Sequence, residues 1–507
     1  MVEYADGSEE WFLSDPDTWR CSTDGPVTYN SIYNGETYDA RLEKTGWDLP
    51  GYDETGWFDA VEKEPPEGLL RSQLLEPIRM VGEMPIQEII PVADSSWTLD
   101  FGKNFAGWVR IRMSGKAGQQ ISIQPAEMVK PDGSVDPTSL RRARPVDTYI
   151  FKGEGVEEWE PRFTYHGFRY AQIFGLEDKP EPGIFTGCII RSGVERIGDF
   201  TSSHPIVQGF YDMVRQTEES NLHGVPTDCP QRDERLGWLN DMTVRNEGAM
   251  YGFRLYQLYA KWLRDIRDTQ GKVTGAITDT APFLRYGFRP ADPVSGSFLL
   301  LPWNLYLHYG DDRIIRENYE ANGRWVRYLM KNSRDGVVRF SSMGDWAAPV
   351  AGTDHSSTGG GALSTITPPL LMSTGFLYFD CTLMAKMAQV LGKPEDEQQW
   401  LDTAAKVKAD FNRTFFHPEE QYYGADSQAA NIIPLYFGLV EEKDIPGVLR
   451  HLCDDIRLNG GHLTTGNICS RFGIEVLFRY GEDDLAWHLL SQTEYPSWGF
   501  MLVNGAT

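Results

Sequence analysis

The chain has 507 residues, 41% of them hydrophobic and 24% charged, a globular composition too long for one ordinary core; at roughly 150 residues per domain, about three domains are expected. Its 73 acids against 48 Lys and Arg give a formal net charge of −25. A field of that sign repels phosphate backbones and anionic lipid surfaces, so nucleic acid and membrane are excluded as expected partners and a neutral ligand is favoured.

Up to about residue 195 the text reads as β structure. Val109-Arg110-Ile111-Arg112-Met113 and Gln120-Ile121-Ser122-Ile123-Gln124 alternate apolar with polar, as half-buried strands do, and Pro131-Asp132-Gly133-Ser134 is a turn signal. Two β-sandwich domains are expected, residues 1–66 and 67–195. The acidic, Pro-rich stretch Glu62-Lys63-Glu64-Pro65-Pro66-Glu67-Gly68 separates them, because proline breaks ladders and charge keeps a link solvated.

After Gly198-Asp199-Phe200 the period changes. Ile206, Phe210, Val214 and later Phe376, Phe379, Leu383, Met387, Val390 recur at three- and four-residue steps. Helices are expected over 205–222, 234–250, 253–269, 299–309, 312–332, 374–392, 395–415, 427–439, 442–459, 469–480 and 482–493. Successive helices with short links and no interleaved strands imply hairpins packed side by side, an α/α toroid or a solenoid, and no fixed-period repeat supports the solenoid. Thr358-Gly359-Gly360-Gly361 and the irregular 272–297 region are long links of the kind that rim a pocket.

The six cysteines, Cys21, Cys188, Cys229, Cys381, Cys453 and Cys469, show no CxxC pair, so neither a zinc site nor a disulfide framework is indicated. The start, Met1-Val2-Glu3-Tyr4-Ala5-Asp6-Gly7, has no basic segment followed by an apolar run, and the expected location is the cytoplasm. No metal and no cofactor is expected.

The densest chemistry lies in Thr227-Asp228-Cys229-Pro230-Gln231-Arg232-Asp233-Glu234-Arg235-Leu236-Gly237-Trp238, followed by Asp241. A helix starting near Asp233 would put Glu234, Trp238 and Asp241 at i, i+4 and i+7, with two carboxylates and an indole on one face. A carboxylic acid beside a flat aromatic suits glycoside cleavage: the acid protonates the leaving oxygen and the ring packs on a sugar. A capped, solvated helix start with a buried Trp explains the same residues equally well.

Asp228 through Trp238 resembles the signature of the bacterial-type α-L-rhamnosidases, inverting glycoside hydrolases with an (α/α)6 catalytic barrel. Similar text runs along the chain, at Tyr33–Arg41 with Gly46-Trp47, Asp100–Arg110, Phe163–Tyr170, Gly344–Pro349, His462–Gly466 and Tyr495–Met501. The resemblance implies two N-terminal β-sandwich domains followed by an (α/α)6 toroid over 196–507, incomplete at its C-terminal end. It implies Glu234 as general acid, Asp228, Arg232, Trp238 and Asp241 as holders of the rhamnose, and Trp346 as an aromatic wall. Asp233 is expected in a helix-capping or supporting role, Cys229 in packing, and His166 and His223 as hydrogen-bonded structural residues. The implied partners are a rhamnosylated glycoside or polysaccharide and, as an assembly, a homodimer.

Two departures stand out. The family's general base follows an Asn-Gly-Ala-Thr run, and here Asn504-Gly505-Ala506-Thr507 is the last segment, so the base is expected beyond Thr507, with Glu494 a poor substitute. The family's Trp-Gly-Asp run before Pro302-Trp303 is replaced by Val294-Ser295-Gly296-Ser297, an altered sugar-facing wall. The competing functions are a toroid glycosidase of other sugar specificity, a polysaccharide lyase, for which no Tyr/His pair accompanies Arg232 and Arg235, and a non-catalytic rhamnose-binding homologue.

Overall fold

The computed structural model describes residues 1–92, 96–181, 183–285, 287, 289–349 and 366–507. The glycine-rich link at 358–361 lies outside the described residues.

The N-terminal part is built on one ten-stranded sheet: β1 (Val27–Ser31), β2 (Gly35–Asp39), β3 (Ile78–Met84), β4 (Glu88–Val92), β5 (Ser96–Ser114), β6 (Gln120–Ala126), β7 (Asp147–Ile150), β8 (Val156–Trp159), β9 (His166–Phe174) and β10 (Phe185–Ser192). The order is β1-β2-β7-β6-β9-β5-β10-β3, with β4 and β8 also on β5. The 19-residue β5 changes partners along its length. Its first half pairs with β4 and β9, as in Leu99↔Ala171, and its second half with β10 and β8, as in Val109↔Gly187. Gly107 permits the change, since its φ is +159° and a Cβ there would lie 1.8 Å from the Cys188 carbonyl oxygen. The strands enclose Leu99, Phe101, Phe105, Val109, Ile111, Phe168 and Ile173.

Strands β1 and β2 precede the expected boundary at residue 66, yet hydrogen bonding continues across it, because β2 pairs in parallel with β7 (Thr37↔Thr148). Buried Asp147 locks the join. Its Oδ1 accepts from the Glu36 N–H (3.0 Å) and its Oδ2 bonds His166 Nε2 (2.9 Å). A Cβ on Gly35 would meet the Val146 carbonyl at 2.3 Å.

The remainder is helical: α1 (Pro205–Glu219), α2 (Leu239–Gly252), α3 (Tyr256–Thr269), α4 (Ser297–Tyr309), α5 (Arg313–Lys331), α6 (Pro369–Val390), α7 (Pro394–Phe415), α8 (Gln428–Phe437), α9 (Ile445–Leu458), α10 (Asn467–Arg479), α11 (Asp483–Ser491) and α12 (Trp498–Val503). The even-numbered helices α2, α4, α6, α8 and α10 pack in succession, and α10 returns to α2. Arg471 on α10 fastens that closure by donating to the Val244 carbonyl (2.7 Å) and pairing with Glu247. The odd-numbered helices lie outside them. Periodicity explains the division. Outer α5 buries Ile314, Asn318, Tyr319, Asn322, Trp325, Val326 and Leu329 on one stripe, whereas inner α6 buries residues on nearly every face. Among the described residues, no helix is long and apolar enough to cross a membrane.

The expected helices are present with ends shifted by up to five residues, and three departures are the largest. Helix α6 begins at Pro369 rather than 374, and α12 was not anticipated because its six residues are too short for a periodic signal. The third, at α2, shapes the site.

Candidate active site

Helix α2 starts at Leu239, so Glu234 and Trp238 are not on it, and the shared helical face expected for Glu234, Trp238 and Asp241 is corrected. Local chemistry keeps residues 228–238 out of a helix. Arg235 has a φ of +57°, Trp238 bridges Thr280 as in a β ladder, and a Cβ on Gly237 would lie 2.3 Å from the Ala281 carbonyl. The segment is instead a loop closed on itself, with Asp228 N–H donating to the Leu236 carbonyl (2.9 Å) and Leu236 N–H to Asp228 Oδ1 (2.7 Å).

This loop gathers the expected residues without helical periodicity. Trp238 Nε1 donates to Glu234 Oε1 (3.1 Å). Arg232 donates from Nε to Glu234 Oε2 (2.9 Å) and from Nη2 to Asp228 Oδ2 (3.2 Å), bridging the two carboxylates. Ligand atoms of Asp228, Cys229 and Glu234 lie within 4.8 Å of one another, a spacing a cation could use, but Arg232 already supplies the positive charge between the carboxylates. Burial followed by the Glu234 charge raises the Asp228 carboxyl. Burial works against the Arg232 charge, and Cys229, Glu234 and Asp228 together hold it above its ordinary value.

Asp241 sits in the first turn of α2. Burial, then the Asp228 charge, pushes its carboxyl up to about 7, despite the favourable helix N-terminus and Arg245. A neutral Asp241 can donate a hydrogen bond as well as accept one.

Trp346 lies on another loop, which Asp292 and the start of α10 hold. Asp292 Oδ2 accepts from Ser341 Oγ (2.9 Å) and the Met343 N–H (2.6 Å), and Asn240 Nδ2 on α2 contacts Met343 Sδ (3.2 Å). Next along, Asp345 caps a different helix, accepting from the Gly466 (2.7 Å) and Cys469 (2.9 Å) amides at the start of α10. The Trp346 carbonyl accepts from Asn467 N–H (2.7 Å). Its buried indole Nε1 has no acceptor among the described residues, and no hydrogen bond among them joins Trp346 to the Glu234 cluster.

The β part closes the other side. Arg141 Nη1 pairs with Glu234 Oε2 (2.8 Å), Tyr33 Oη donates to the Glu234 carbonyl (3.0 Å), and Gly167 packs where a Cβ would stand 2.5 Å from Pro230 Cγ. Buried Arg235 ties the parts together. It donates to the carbonyls of Ile32 (2.7 Å), Tyr165 (2.5 Å), Arg232 (3.0 Å) and Gln231 (3.1 Å), with Tyr33 and Tyr165 rings against it. Asp233 does not cap a helix. Its Oδ2 pairs with Arg142 Nε (2.9 Å), which holds its carboxyl below the usual value against the opposing effect of burial.

Other expectations resolve as packing. Cys229 is buried, and burial raises its thiol. His223 stacks on Tyr165 and bonds the Ile190 carbonyl, and burial lowers it to about 3. Val294–Ser297 is fully buried, with the Val294 carbonyl and Ser297 N–H both on Thr243 Oγ1, so this departure from the family text lies under α2 rather than on an open wall. Glu494 is exposed in the bend before α12.

Arg141 and Tyr33 were not anticipated, being 93 and 201 residues from Glu234. The one available signal was Arg141-Arg142-Ala143-Arg144, a basic run in a strongly acidic chain. Asp292 carried no local signal at all.

Residues 195–507 match the model of the bacterial α-L-rhamnosidase six-hairpin glycosidase domain. The chain belongs to the bacterial α-L-rhamnosidase family. Residues 90–191 match the family's concanavalin-like domain and 1–82 its N-terminal domain. An α-L-rhamnosidase of Streptomyces avermitilis is 33% identical over all of this chain and 47% of its own length, and one from Formosa agariphila is 32% identical over all of it and 54% of its own. Among solved structures, the α-L-rhamnosidase from Dictyoglumus thermophilum is 37% identical with a TM-score of 0.94, covering 100% of this chain and 56% of its own. The Streptomyces avermitilis enzyme complexed with L-rhamnose is 32% identical with a TM-score of 0.91, covering 99% and 47%. The chain spans about half the length of these relatives. The family's architecture, β-rich N-terminal domains followed by a six-hairpin helical domain, is the one expected from sequence.

Proposed function

We propose that this protein removes terminal α-L-rhamnose from a glycoside or polysaccharide, with Glu234 as the general acid. The observation that carries the reading is the Glu234 carboxylate, fixed at one oxygen by Trp238 Nε1 and at the other by two guanidiniums. Membership of the family and a 32% identical relative crystallised with L-rhamnose support the sugar.

In this reading Glu234 gives its proton to the glycosidic oxygen as the C–O bond breaks. Arg232 and Asp228, linked to each other, grip hydroxyls directionally, while Asp241 offers a carboxyl that both donates and accepts. Trp238 holds the acid through its N–H and, with Trp346, presents an indole to the apolar, methyl-bearing face of a 6-deoxy sugar. Inversion further requires a carboxylate on the opposite side of the ring, about 6.5–9.5 Å from the acid, to activate water. No described residue is assigned that part.

The test is release of L-rhamnose from methyl α-L-rhamnoside, whose alkoxide leaving group needs the proton, by the protein and by Glu234→Gln. Turnover that the substitution lowers by about 10²-fold or more supports the reading. Turnover that survives the substitution overturns the acid, and binding of L-rhamnose without turnover fits a site without the second carboxylate or a non-catalytic homologue.

A further inference from the structure

Resting on that reading, we infer that the leaving group is a sugar bearing a carboxylate, a uronate, and that Arg141 recognises it. The argument begins with the occupancy of Glu234. Its Oε1 accepts from Trp238 and its Oε2 from both Arg232 and Arg141, so each oxygen is engaged before a substrate arrives. One partner must leave the carboxyl before it can face a glycosidic oxygen.

Arg232 is held in place by its second bond, to Asp228, whose side chain is 4% exposed. Trp238 is anchored by backbone pairing with Thr280. Arg141 is the accessible partner, with a side chain 41% exposed on a residue whose φ is +54°, just after the 3-10 turn Thr138–Leu140. It arrives from the β part and meets the acid at Oε2, so a leaving group whose oxygen faces the Glu234 carboxyl lies within reach of it. A guanidinium leaves a carboxylate at least cost when another carboxylate takes its place, since the fork geometry and the charge are both preserved.

The surroundings favour such an anion. Arg142, with a side chain 75% exposed, and exposed Arg144 flank Arg141. Arg144 spends its guanidinium on the Arg141 (2.7 Å) and Ala143 (2.8 Å) carbonyls and makes no ion pair among the described residues. Three arginines in four residues stand here on a chain of net charge −25, two of them paired with Glu234 and Asp233 and the third, Arg144, adding a charge beside them that favours an incoming anion. A uronate arriving there draws Arg141 from Glu234 and opens one lone pair of Oε2 beside the Arg232 bond; that oxygen takes up from water the proton that the glycosidic oxygen then receives.

Binding is measured separately from turnover. NMR titration of methyl β-D-glucuronoside and its carboxamide into the protein at low salt should show the acid binding about tenfold more tightly. Arg141→Gln should bring that ratio near one, and Arg141→Lys, which keeps the charge but loses the fork, should give an intermediate ratio. In turnover, α-L-rhamnosyl-(1→4)-glucuronate should exceed its carboxamide in kcat/KM by a similar factor in the unsubstituted protein and not in Arg141→Gln. Equal binding of acid and carboxamide, or a preference unchanged by Arg141→Gln, overturns the inference. Rhamnoside hydrolysis that Glu234→Gln leaves unchanged while the binding preference persists overturns the reading of Glu234 as acid and leaves the anion site standing.

Discussion

Arg235 is the residue on which the position of Glu234 most depends. Its fork reaches carbonyls in the N-terminal segment, in β-domain residue Tyr165 and in the signature loop, and among the described residues no carboxylate pairs with it. Burial lowers its affinity for the proton, so the carbonyl dipoles and the Tyr33 and Tyr165 rings carry the compensation. Lysine cannot span four carbonyls. Arg235→Lys should therefore cost about 2–4 kcal/mol, from the loss of charge-assisted bonds, and chemical denaturation should detect it. A variant as stable as the parent would show that the bonds are individually dispensable.

Asp241 and Asp279 make a pH prediction. Burial pushes both carboxyls up to about 7, with Asp228 adding to the first and Asp292 to the second. Between the unfolded carboxylate value, about 3.9, and about 7, the native state holds protons that the unfolded state has released. The stability they contribute is complete below that window and falls as pH rises through it, by up to about 1.4 kcal/mol per pH unit per group. Asp279→Asn keeps an acceptor for the Asp292 N–H (2.7 Å) and should flatten the fall in Tm between pH 4 and 7. An unchanged pH profile would contradict a raised Asp279.

Among the elements, the loop from Ser341 to Trp346 shows how far the site was legible. Its text resembles the family, but the reason Trp346 stands where it does is three-dimensional: Asp292 holds the loop from one side and the start of α10 from the other. Gly466 marks the tightest point, where a Cβ would stand 2.2 Å from the Asp345 and 2.4 Å from the Trp346 carbonyl oxygens. Gly466→Ala should cost about 1–3 kcal/mol through overpacking and weaken L-rhamnose binding as Trp346 shifts. Calorimetry of both properties checks this, and undiminished affinity would remove Trp346 from the pocket.

Helix α6 yields a prediction of the opposite sign. Asp380 is fully buried, neither carboxylate oxygen has a partner among the described residues, and burial holds its carboxyl well above the usual range. Asp380→Leu, which keeps the number and branching of the side-chain heavy atoms, removes the desolvation cost and should raise Tm at pH 7. A fall of several degrees would reveal a role for the carboxyl.

Across the whole molecule, periodicity revealed nearly all of the helices because their apolar stripes are long, and alternation revealed β5 and β6 because one face is buried. Two matters could not be read locally. The signature looked helical by spacing, yet Gly237 and the positive φ of Arg235 make a loop, and the expected Trp238–Glu234 contact forms there by another geometry. The union of β part and barrel also left no periodic trace, because it is made by single residues, Tyr33, Arg141, Gly167 and Arg235, far apart in the chain. Glu234 is consequently a property of the assembled molecule: its loop comes from the helical part, and two of its partners, Arg141 and Tyr33, from the β part.

That Glu234 protonates the leaving oxygen is tested most directly by varying the leaving group. Methyl α-L-rhamnoside releases a basic alkoxide that needs the proton, whereas 4-nitrophenyl α-L-rhamnoside releases a stable phenolate that needs it far less. The account predicts that Glu234→Gln lowers kcat/KM for the methyl glycoside by about 10³-fold or more and for the nitrophenyl glycoside by a much smaller factor. Equal losses on the two substrates would mean that Glu234 binds the sugar without giving it a proton, and would contradict the account.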